Sequence, residues 1–174
     1  FLASIPATVG GAVYMNAGKG LGLGQEIGMF VDAVKVFDGG GIRWIGRSDC
    51  LFSYRRSVFH DHKDRVVLGV RFSLHRQPAS VGIQMIRERM RKAWEVQDRM
   101  YPNAGSIFKQ SHWRLLKLLR GVRRGDARFS SKTANWISNT GSARSQDVLF
   151  LIRLAQMMHL VAGKRAELEI EIWS

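Results

Sequence analysis

Three short segments of the chain carry residue types whose spacing could support chemistry. In the opening segment, Thr8 and the pair Gly10-Gly11 would let the backbone approach a ligand closely and direct N–H groups at a phosphate. A plain structural turn explains the same residues equally well. The residues alone therefore mark this segment as a candidate anion cradle and leave both interpretations open.

The second segment is 51–59, LFSYRRSVF, which places Tyr54 directly before two arginines, between predicted strands. An arginine cannot lose its proton at working pH, so Arg55 would suit an anion that develops during a reaction. On the residues alone, an ordinary surface arginine is the simpler interpretation.

The third segment is 101–110, YPNAGSIFKQ, in which Ser106 follows a glycine and precedes an apolar pair and Lys109. Such a serine could be a nucleophile, a proton donor or a helix cap. A nucleophilic serine needs a base, and none of the five histidines stands in a recognisable triad motif. Proton donation or capping is therefore favoured.

Other polar patches have simpler explanations. Segment 60–64, HDHKD, holds metal-ligand types, but a charged turn is most often solvated, so we predict no metal site. The glycine-rich run 18–24 is not a dinucleotide-binding fingerprint, because no strand precedes it. The basic stretch 114–124 could contact nucleic acid, yet no standard recognition motif accompanies it.

The composition is that of a globular chain with a strong positive charge. Of 174 residues, 45% are hydrophobic, and 27 Lys and Arg against 14 Asp and Glu give a net charge of +13. Such a field attracts phosphates on nucleic acid, on lipid headgroups or on a nucleotide-linked substrate. No apolar run approaches the roughly 20 residues that cross a bilayer, and the single Cys50 fits a reducing compartment, so we expect a cytoplasmic protein without a membrane partner.

The elements that must position these segments follow from hydrophobic periodicity. The opening is predicted to be a glycine-rich loop up to about residue 28. Strands are predicted at four places, the first two as a hairpin: 31–37, 42–46, 65–75 and 166–173. Helices are predicted at three places, the last with Ser145 as its N-cap and Gly163 ending it: 80–98, 113–120 and 145–162. This order of elements predicts an α+β fold with a division near Arg99.

In order and spacing, the segments resemble the family of UDP-N-acetylenolpyruvoylglucosamine reductase, also called UDP-N-acetylmuramate dehydrogenase. The resemblance runs from Phe1 to about Ile172 and rests on SIPATVGGAVYMNAG, FSYRRSVF, PNAGSIFK, FSSKTANWISNTGSARSQDVLFLI and LEIEI. It implies a cytoplasmic flavoenzyme of peptidoglycan precursor synthesis, in which NADPH reduces FAD. The flavin then passes hydride to the β-carbon of UDP-N-acetylglucosamine enolpyruvate. The resulting enolate is protonated at the α-carbon to give UDP-N-acetylmuramate.

The resemblance also implies roles for residues. Ser106 matches the general acid that protonates the enol, Arg55 the arginine that holds the substrate carboxylate and the enolate, and Glu171 their acidic partner, with Glu169 as the alternative. Residues that match the cofactor-binding positions are Ile5, Pro6, Thr8, Gly10, Gly11 and Asn16. Residues that match the substrate-binding positions are Tyr54, Asn103, Lys109 and Gln110. The UDP diphosphate is the partner expected for the positive charge.

For the domains, the resemblance implies a flavin-side α+β domain over 1–99, joined by the C-terminal strand 165–174, and a substrate-binding α+β domain over 100–164. It looks like the shorter of the family's two types. Family members carry a further N-terminal FAD-binding domain, so we expect this chain to be a fragment that binds FAD poorly and is inactive alone. The alternative is a degenerate homologue that acts as a basic binding module for nucleic acid or an anionic polymer. We favour the reductase and expect no nucleic-acid partner.

Four residues depart from the family's pattern. Ala7 stands where glycine is usual, Asp98 where a proline is common, Gln110 where asparagine is usual, and Thr133 where a histidine is common. These departures weaken the expectation of efficient turnover more than they weaken the expectation of common ancestry with the family.

Overall fold

The computed structural model describes residues 1–18 and 25–172. These residues form two compact units, Phe1–Arg91 and Lys92–Ser174. Both units mix helices with antiparallel strands, so the predicted α+β class is confirmed. Among the described helices, none combines the length and the apolar composition that crossing a membrane requires.

The first unit is built on a three-stranded antiparallel sheet with the order β2-β1-β3. Its strands are β1 (Val31–Phe37), β2 (Ile42–Gly46) and β3 (Val66–Phe72). The predicted hairpin is confirmed, because Phe37 pairs with Ile42 and Ala33 with Gly46. In its turn, Gly39 and Gly41 have φ angles of +81° and +139°, which explains the glycine run.

A short helix, α1 (Val9–Tyr14), lies within the segment that we predicted to be wholly loop. That prediction was wrong over these residues. Thr8 is the N-cap, and its Oγ1 accepts a hydrogen bond from the Gly11 N–H at 3.1 Å. The cap and the burial of Ala12 and Val13 offset the poor helix propensity of the glycine pair. Most of the glycine-rich run 18–24 lies outside the described residues.

The core of the first unit forms around the central strand β1. Its buried members are Ala12, Val13, Ile27, Val31, Val34, Val36, Ile45, Cys50, Val58 and Phe59. Because β1 contributes three of these side chains and pairs with strands on both edges, it is the element that fixes the loops around it.

Cys50 is fully buried in this core, and its Sγ donates to the Gly46 carbonyl at 3.4 Å. Burial, together with the carboxylate of Asp49, raises the pKa of the Cys50 thiol to about 11. Because the thiolate is the reactive form, we expect a thiol-labelling reagent to leave Cys50 unmodified in the native protein at neutral pH. Denaturant should expose it to rapid labelling. Mass spectrometry that finds fast labelling without denaturant would contradict this prediction.

The second unit contains two small antiparallel sheets and two helices. One sheet has the order β5-β6-β7: Arg123–Arg124, Ala127–Phe129 and Ile137–Asn139. The other pairs two strands: β4 (Phe108–Gln110) and β8 (Glu167–Leu168). The remaining helices are α2, which contains the boundary between the units, α3 and α4: Ala79–Val96, Trp113–Leu118 and Ser145–Val161.

Helix α4 supplies the inward face that its periodicity predicted. Leu151, Ile152 and Ala155 are buried, and Gly163 follows the helix with a φ of +65°. The N-cap is Arg144 rather than the predicted Ser145, and Asp147 Oδ2 accepts the Arg144 N–H at 3.1 Å. The buried core around this helix comprises Ile107, Phe108, Leu116, Leu119, Ala127, Phe129, Ile137, Leu151, Ile152 and Ala155.

The C-terminal strand lies elsewhere than expected. We predicted a strand over 166–173 that joins the flavin-side portion, but β8 has two residues and lies in the second unit. It pairs with β4 through Phe108 and Leu168, and the Glu169 N–H donates to the Ile107 carbonyl at 2.8 Å. The apolar side chains of the tail, Ala166, Leu168 and Ile170, pack on the core of the second unit, and their burial there stabilises this position.

Candidate active site

Arg55 lies in a tight turn that two reciprocal hydrogen bonds close. The Ser53 N–H donates to the Arg56 carbonyl at 3.0 Å, and the Arg56 N–H donates to the Ser53 carbonyl at 3.1 Å. Arg55 itself has a φ of +54°, a left-handed conformation that is uncommon for a residue with a side chain. Such strain is found most often at functional positions. Here the backbone conformation fixes the direction in which the side chain of Arg55 points away from the main chain.

The guanidinium of Arg55 is anchored by carbonyl groups of the opening segment. Its Nη2 donates to the Gly18 carbonyl at 2.8 Å, and its Nη1 lies 3.5 Å from the Asn16 carbonyl. The guanidinium carbon also lies 5.0 Å from the centre of the Tyr54 ring, a cation–π contact. The structure therefore holds Arg55 in one place, which an ordinary surface arginine does not require.

Asn16 joins the opening segment to this turn. Its side chain is 2% exposed, and its Nδ2 donates to Glu26 Oε2 and to the Ser53 carbonyl, both at 2.9 Å. Its Oδ1 accepts the Gly28 N–H at 3.0 Å. A Cβ on Gly28 would lie only 2.8 Å from Asn16 Oδ1, so this packing requires glycine. Both amide N–H groups are used within the unit, and the predicted cofactor contact of Asn16 stays a prediction.

The other residues with predicted cofactor contacts form an open surface. Ile5, Pro6, Thr8 and Gly11 are exposed. The predicted contacts of these residues with a cofactor stay predictions. Ala7, which stands where the family has glycine, is not among the residues with a positive φ, so its Cβ causes no backbone strain there.

Ser106 follows a turn that the side chain of Asn103 builds. Asn103 Oδ1 accepts the Gly105 N–H at 3.0 Å, and its Nδ2 donates to the Tyr101 carbonyl at 3.0 Å. Gly105 has a φ of +79°, which a residue with a side chain would adopt only with strain. Ser106 is half-buried immediately after this turn. The predicted contact of Asn103 with a substrate stays a prediction beside this structural role.

Asp98 and Thr133, two of the residues that depart from the family's pattern, are hydrogen-bonded to each other. The Asp98 N–H donates to Thr133 Oγ1 at 2.9 Å, and Thr133 Oγ1 donates to the Val96 carbonyl at 3.1 Å. The Asp98 carboxylate accepts the hydroxyl of buried Ser130 at 2.7 Å. A proline at position 98 would have no N–H for this bond, so Asp98 and Thr133 act as one pair.

Thr133→Val removes this hydroxyl while keeping the shape of the side chain. We expect the free energy of unfolding to fall by about 1–3 kcal/mol, because the partly buried Asp98 N–H loses its acceptor. The measurement is the midpoint of denaturant unfolding. Thr140→Val is the matched control, since Thr140 Oγ1 donates at an exposed position to the Asp126 carbonyl at 3.0 Å. Equal losses in the two variants would contradict the role of the pair.

Lys109 lies on β4 and Glu167 on β8, and the other two carboxylates of the tail, Glu169 and Glu171, follow β8. Lys109 Nζ contacts Glu167 Oε1 at 2.7 Å, and the lysine side chain is only 20% exposed. Glu169 is half-buried and Glu171 is exposed. The bond from the Glu169 N–H to the Ile107 carbonyl makes the tail follow the segment that carries Ser106.

The residues with predicted roles are distributed over both units. The first unit contains Ile5, Pro6, Thr8, Gly10, Gly11, Asn16, Tyr54 and Arg55. The second contains Asn103, Ser106, Lys109, Gln110, Glu169 and Glu171. Asn16 and Asn103 were named from the sequence for ligand contacts, and their hydrogen bonds to the turns of Arg55 and Ser106 were not predicted.

Comparison with known proteins identifies relatives along nearly the whole chain. The crystal structure of UDP-N-acetylenolpyruvylglucosamine reductase from Thermus caldophilus matches 99% of this chain and 63% of that chain, with a TM-score of 0.83 and 35% identity. The reductases of Pseudothermotoga lettingae and Thermotoga maritima are 37% and 36% identical, each over 99% of this chain and 62% of the relative. Residues 95–173 match the family model described as UDP-N-acetylenolpyruvoylglucosamine reductase, C-terminal domain.

The fold and these relatives define the class: the chain is an α+β structure that resembles part of proteins named as reductases. It matches the C-terminal part of UDP-N-acetylenolpyruvoylglucosamine reductases, which confirms the resemblance seen in the sequence. The chain spans 62% of the length of each of these two curated relatives.

Proposed function

We propose that this chain is the part of a cytoplasmic reductase that binds UDP-N-acetylglucosamine enolpyruvate and contributes to its reduction to UDP-N-acetylmuramate, a step of peptidoglycan precursor synthesis. The observation that carries the proposal is the strained turn at Arg55. Its left-handed backbone and its anchored guanidinium prepare a fixed positive charge. An enolate intermediate needs such a charge in a defined place.

Arg55 would hold the substrate carboxylate and the enolate oxygen. A guanidinium is planar and permanently charged, so it matches a carboxylate through paired N–H groups. The bonds to the Gly18 and Asn16 carbonyls orient the group before substrate binds. Preorientation matters because no reorganisation is then needed while negative charge develops.

Ser106 would donate its hydroxyl proton to the α-carbon of the enolate. A serine is a weak acid, so its environment must stabilise the oxygen that remains after proton transfer. Glu171, with Glu169 as the alternative, would be the acidic partner in this step. Lys109, which lies on β4, would bind the substrate together with Tyr54, Asn103 and Gln110.

The exposed backbone of the opening segment would contact the cofactor. Ile5, Pro6, Thr8, Gly10 and Gly11 would hold one face of FAD, and Asn16 would keep that segment in place. Bound FAD, reduced by NADPH, would supply hydride to the β-carbon of the substrate. Since the matched relatives have further chain outside the matched region, we propose that residues 1–174 alone bind FAD weakly and are inactive.

Product analysis tests this proposal on the native protein, meaning the full-length protein as it occurs in the cell. With NADPH and the enolpyruvyl UDP-sugar, we expect a product that carries two more hydrogen atoms than the substrate, identified by mass spectrometry. Omission of NADPH should abolish it. Binding of nucleic acid at physiological salt without any turnover would contradict the reductase and support the alternative that the net charge of +13 suggests, a basic binding module.

A further inference from the structure

The main chain of the two residues that follow Ser106 is hydrogen-bonded to a single asparagine, Asn135. Asn135 Oδ1 accepts the Phe108 N–H at 3.0 Å, and Asn135 Nδ2 donates to the Phe108 carbonyl at 2.7 Å. The main-chain carbonyl of Asn135 accepts the Ile107 N–H at 2.9 Å. One residue therefore makes three hydrogen bonds to the backbone directly after Ser106, as a neighbouring strand would.

The loop that carries Asn135 is itself tightly bonded. It connects β6 to β7, and the Ser130 N–H donates to the Trp136 carbonyl at 2.9 Å. The hydroxyl of Ser130, which is fully buried, accepts the Thr133 N–H at 2.9 Å. Because the loop is closed on itself and joined to the sheet, Asn135 is a fixed point of the second unit.

The opposite side of the segment is held as well. Ile107 and Phe108 are 1% and 2% exposed, and the Ile107 carbonyl accepts the Glu169 N–H at 2.8 Å. The main chain of Ile107 is thus bonded to the Asn135 loop through its N–H and to the tail through its carbonyl. Ser106 is the half-buried residue at the end of this clamped pair.

We propose that Asn135 is a positioning residue for Ser106, which it holds at the place where its hydroxyl can deliver a proton. The inference rests on the proposed function of Ser106 as the acid. A general acid must lie within hydrogen-bond reach of the atom that it protonates, and a displacement of about 1 Å can cost roughly 10²-fold in rate. The position needs a side chain with both a donor and an acceptor in one plane, which asparagine supplies.

Asn135→Ala and Asn135→Asp in the native protein test this role. We expect each to slow reoxidation of the reduced flavin by the enolpyruvyl UDP-sugar by roughly 10-fold to 10²-fold, while flavin reduction by NADPH keeps its rate. Asn139→Ala is the matched control, because Asn139 Oδ1 accepts two N–H groups in the loop after β7, at 3.0 Å each. The control should change neither half-reaction.

Two further measurements separate positioning from general damage. In the Ser106→Ala background, Asn135→Ala should cause no further slowing, because its effect passes through the serine hydroxyl. A protonated aspartate has the donor and acceptor of asparagine, so the rate of Asn135→Asp relative to the unmodified protein should recover as the pH falls, while that of Asn135→Ala stays flat.

Amide hydrogen exchange tests whether Asn135 holds residues 107 and 108, without any measurement of activity. In Asn135→Ala the amides of residues 107 and 108 should exchange faster than in Asn139→Ala. Unchanged protection of these amides, equal slowing of both half-reactions, or additive effects with Ser106→Ala would each overturn the role of Asn135. If the unmodified protein fails to reoxidise its flavin with the substrate, the proposed function fails, and faster exchange would still establish that Asn135 holds the segment.

Discussion

Ser106→Ala is expected to slow the transfer of reducing equivalents from flavin to the enolpyruvyl substrate by roughly 10²–10⁴-fold. The variant lacks the hydroxyl proton that the enolate must take up at its α-carbon. Reduction of the flavin by NADPH does not involve this proton, so its rate should be unchanged. Anaerobic stopped-flow absorbance measures the two half-reactions separately in the native protein.

The control for this experiment is Ser145→Ala, which removes an exposed serine hydroxyl at the start of α4. It should leave both half-reactions as they are. Because Ser106 follows the positive φ of Gly105 and precedes the buried Ile107, its replacement by the smaller alanine should leave the backbone in place. Equal slowing of both half-reactions would show that Ser106 is structural and would remove it from the chemistry.

Asn16→Ala is expected to be the most destabilising of the single substitutions considered, with a loss of roughly 2–4 kcal/mol in the free energy of unfolding. The buried Gly28 N–H would lose its acceptor, and the Ser53 carbonyl would keep only the Arg56 N–H as a donor. Alanine is also disfavoured at the φ of +43° that Asn16 adopts. Since the Ser53 carbonyl belongs to the turn of Arg55, that turn should loosen as well. Denaturant unfolding measures the loss.

Asn16→Gly separates the two causes. Glycine accepts the left-handed backbone but cannot make the hydrogen bonds, so this variant should recover only about 1 kcal/mol relative to alanine. Asn16→Asp keeps the acceptor for Gly28 and places a second carboxylate beside Glu26, so it should remain strongly destabilised. A loss within about 0.5 kcal/mol for Asn16→Ala, as at an ordinary surface position, would contradict the structural role of this residue.

Long periodic elements could be predicted from the sequence. The hairpin β1–β2 and the helices α2 and α4 were found near their observed bounds, because each has enough residues for a period to show. Helix α1 was missed because glycines at its start conceal a cap by Thr8. The strands β5, β6 and β7 have only two or three residues each, too few to display an alternation.

The position of the C-terminal tail could not be predicted for a different reason. Its alternation of apolar residues and glutamates indicated a half-buried strand, but period alone does not tell which surface a strand covers. The structure shows that it pairs with β4, a partner some sixty positions earlier in the chain, through Phe108 and Leu168. Such long-range pairing leaves no local mark in a single sequence.

The chemistry of the candidate site could be predicted from the sequence. The hydrogen bonds that hold its residues in place could not. Arg55 and Ser106 stand in segments whose residue types suggest their roles, whereas Asn135 was never singled out. Its bonds to Phe108 connect positions 27 residues apart, and those of Asn16 to Ser53 connect positions 37 apart. Likewise, Asp98 and Thr133 looked like two independent departures from the family's pattern until the structure showed them in contact.

A single turnover of the native protein without oxygen tests the proposed reductase function directly. Its flavin is first bleached with one equivalent of NADPH, and the enolpyruvyl UDP-sugar is then added. We expect that the oxidised flavin absorbance returns and that UDP-N-acetylmuramate appears in equal amount. A flavin that stays bleached in the presence of this substrate, or a protein that holds no flavin at all, would contradict this function.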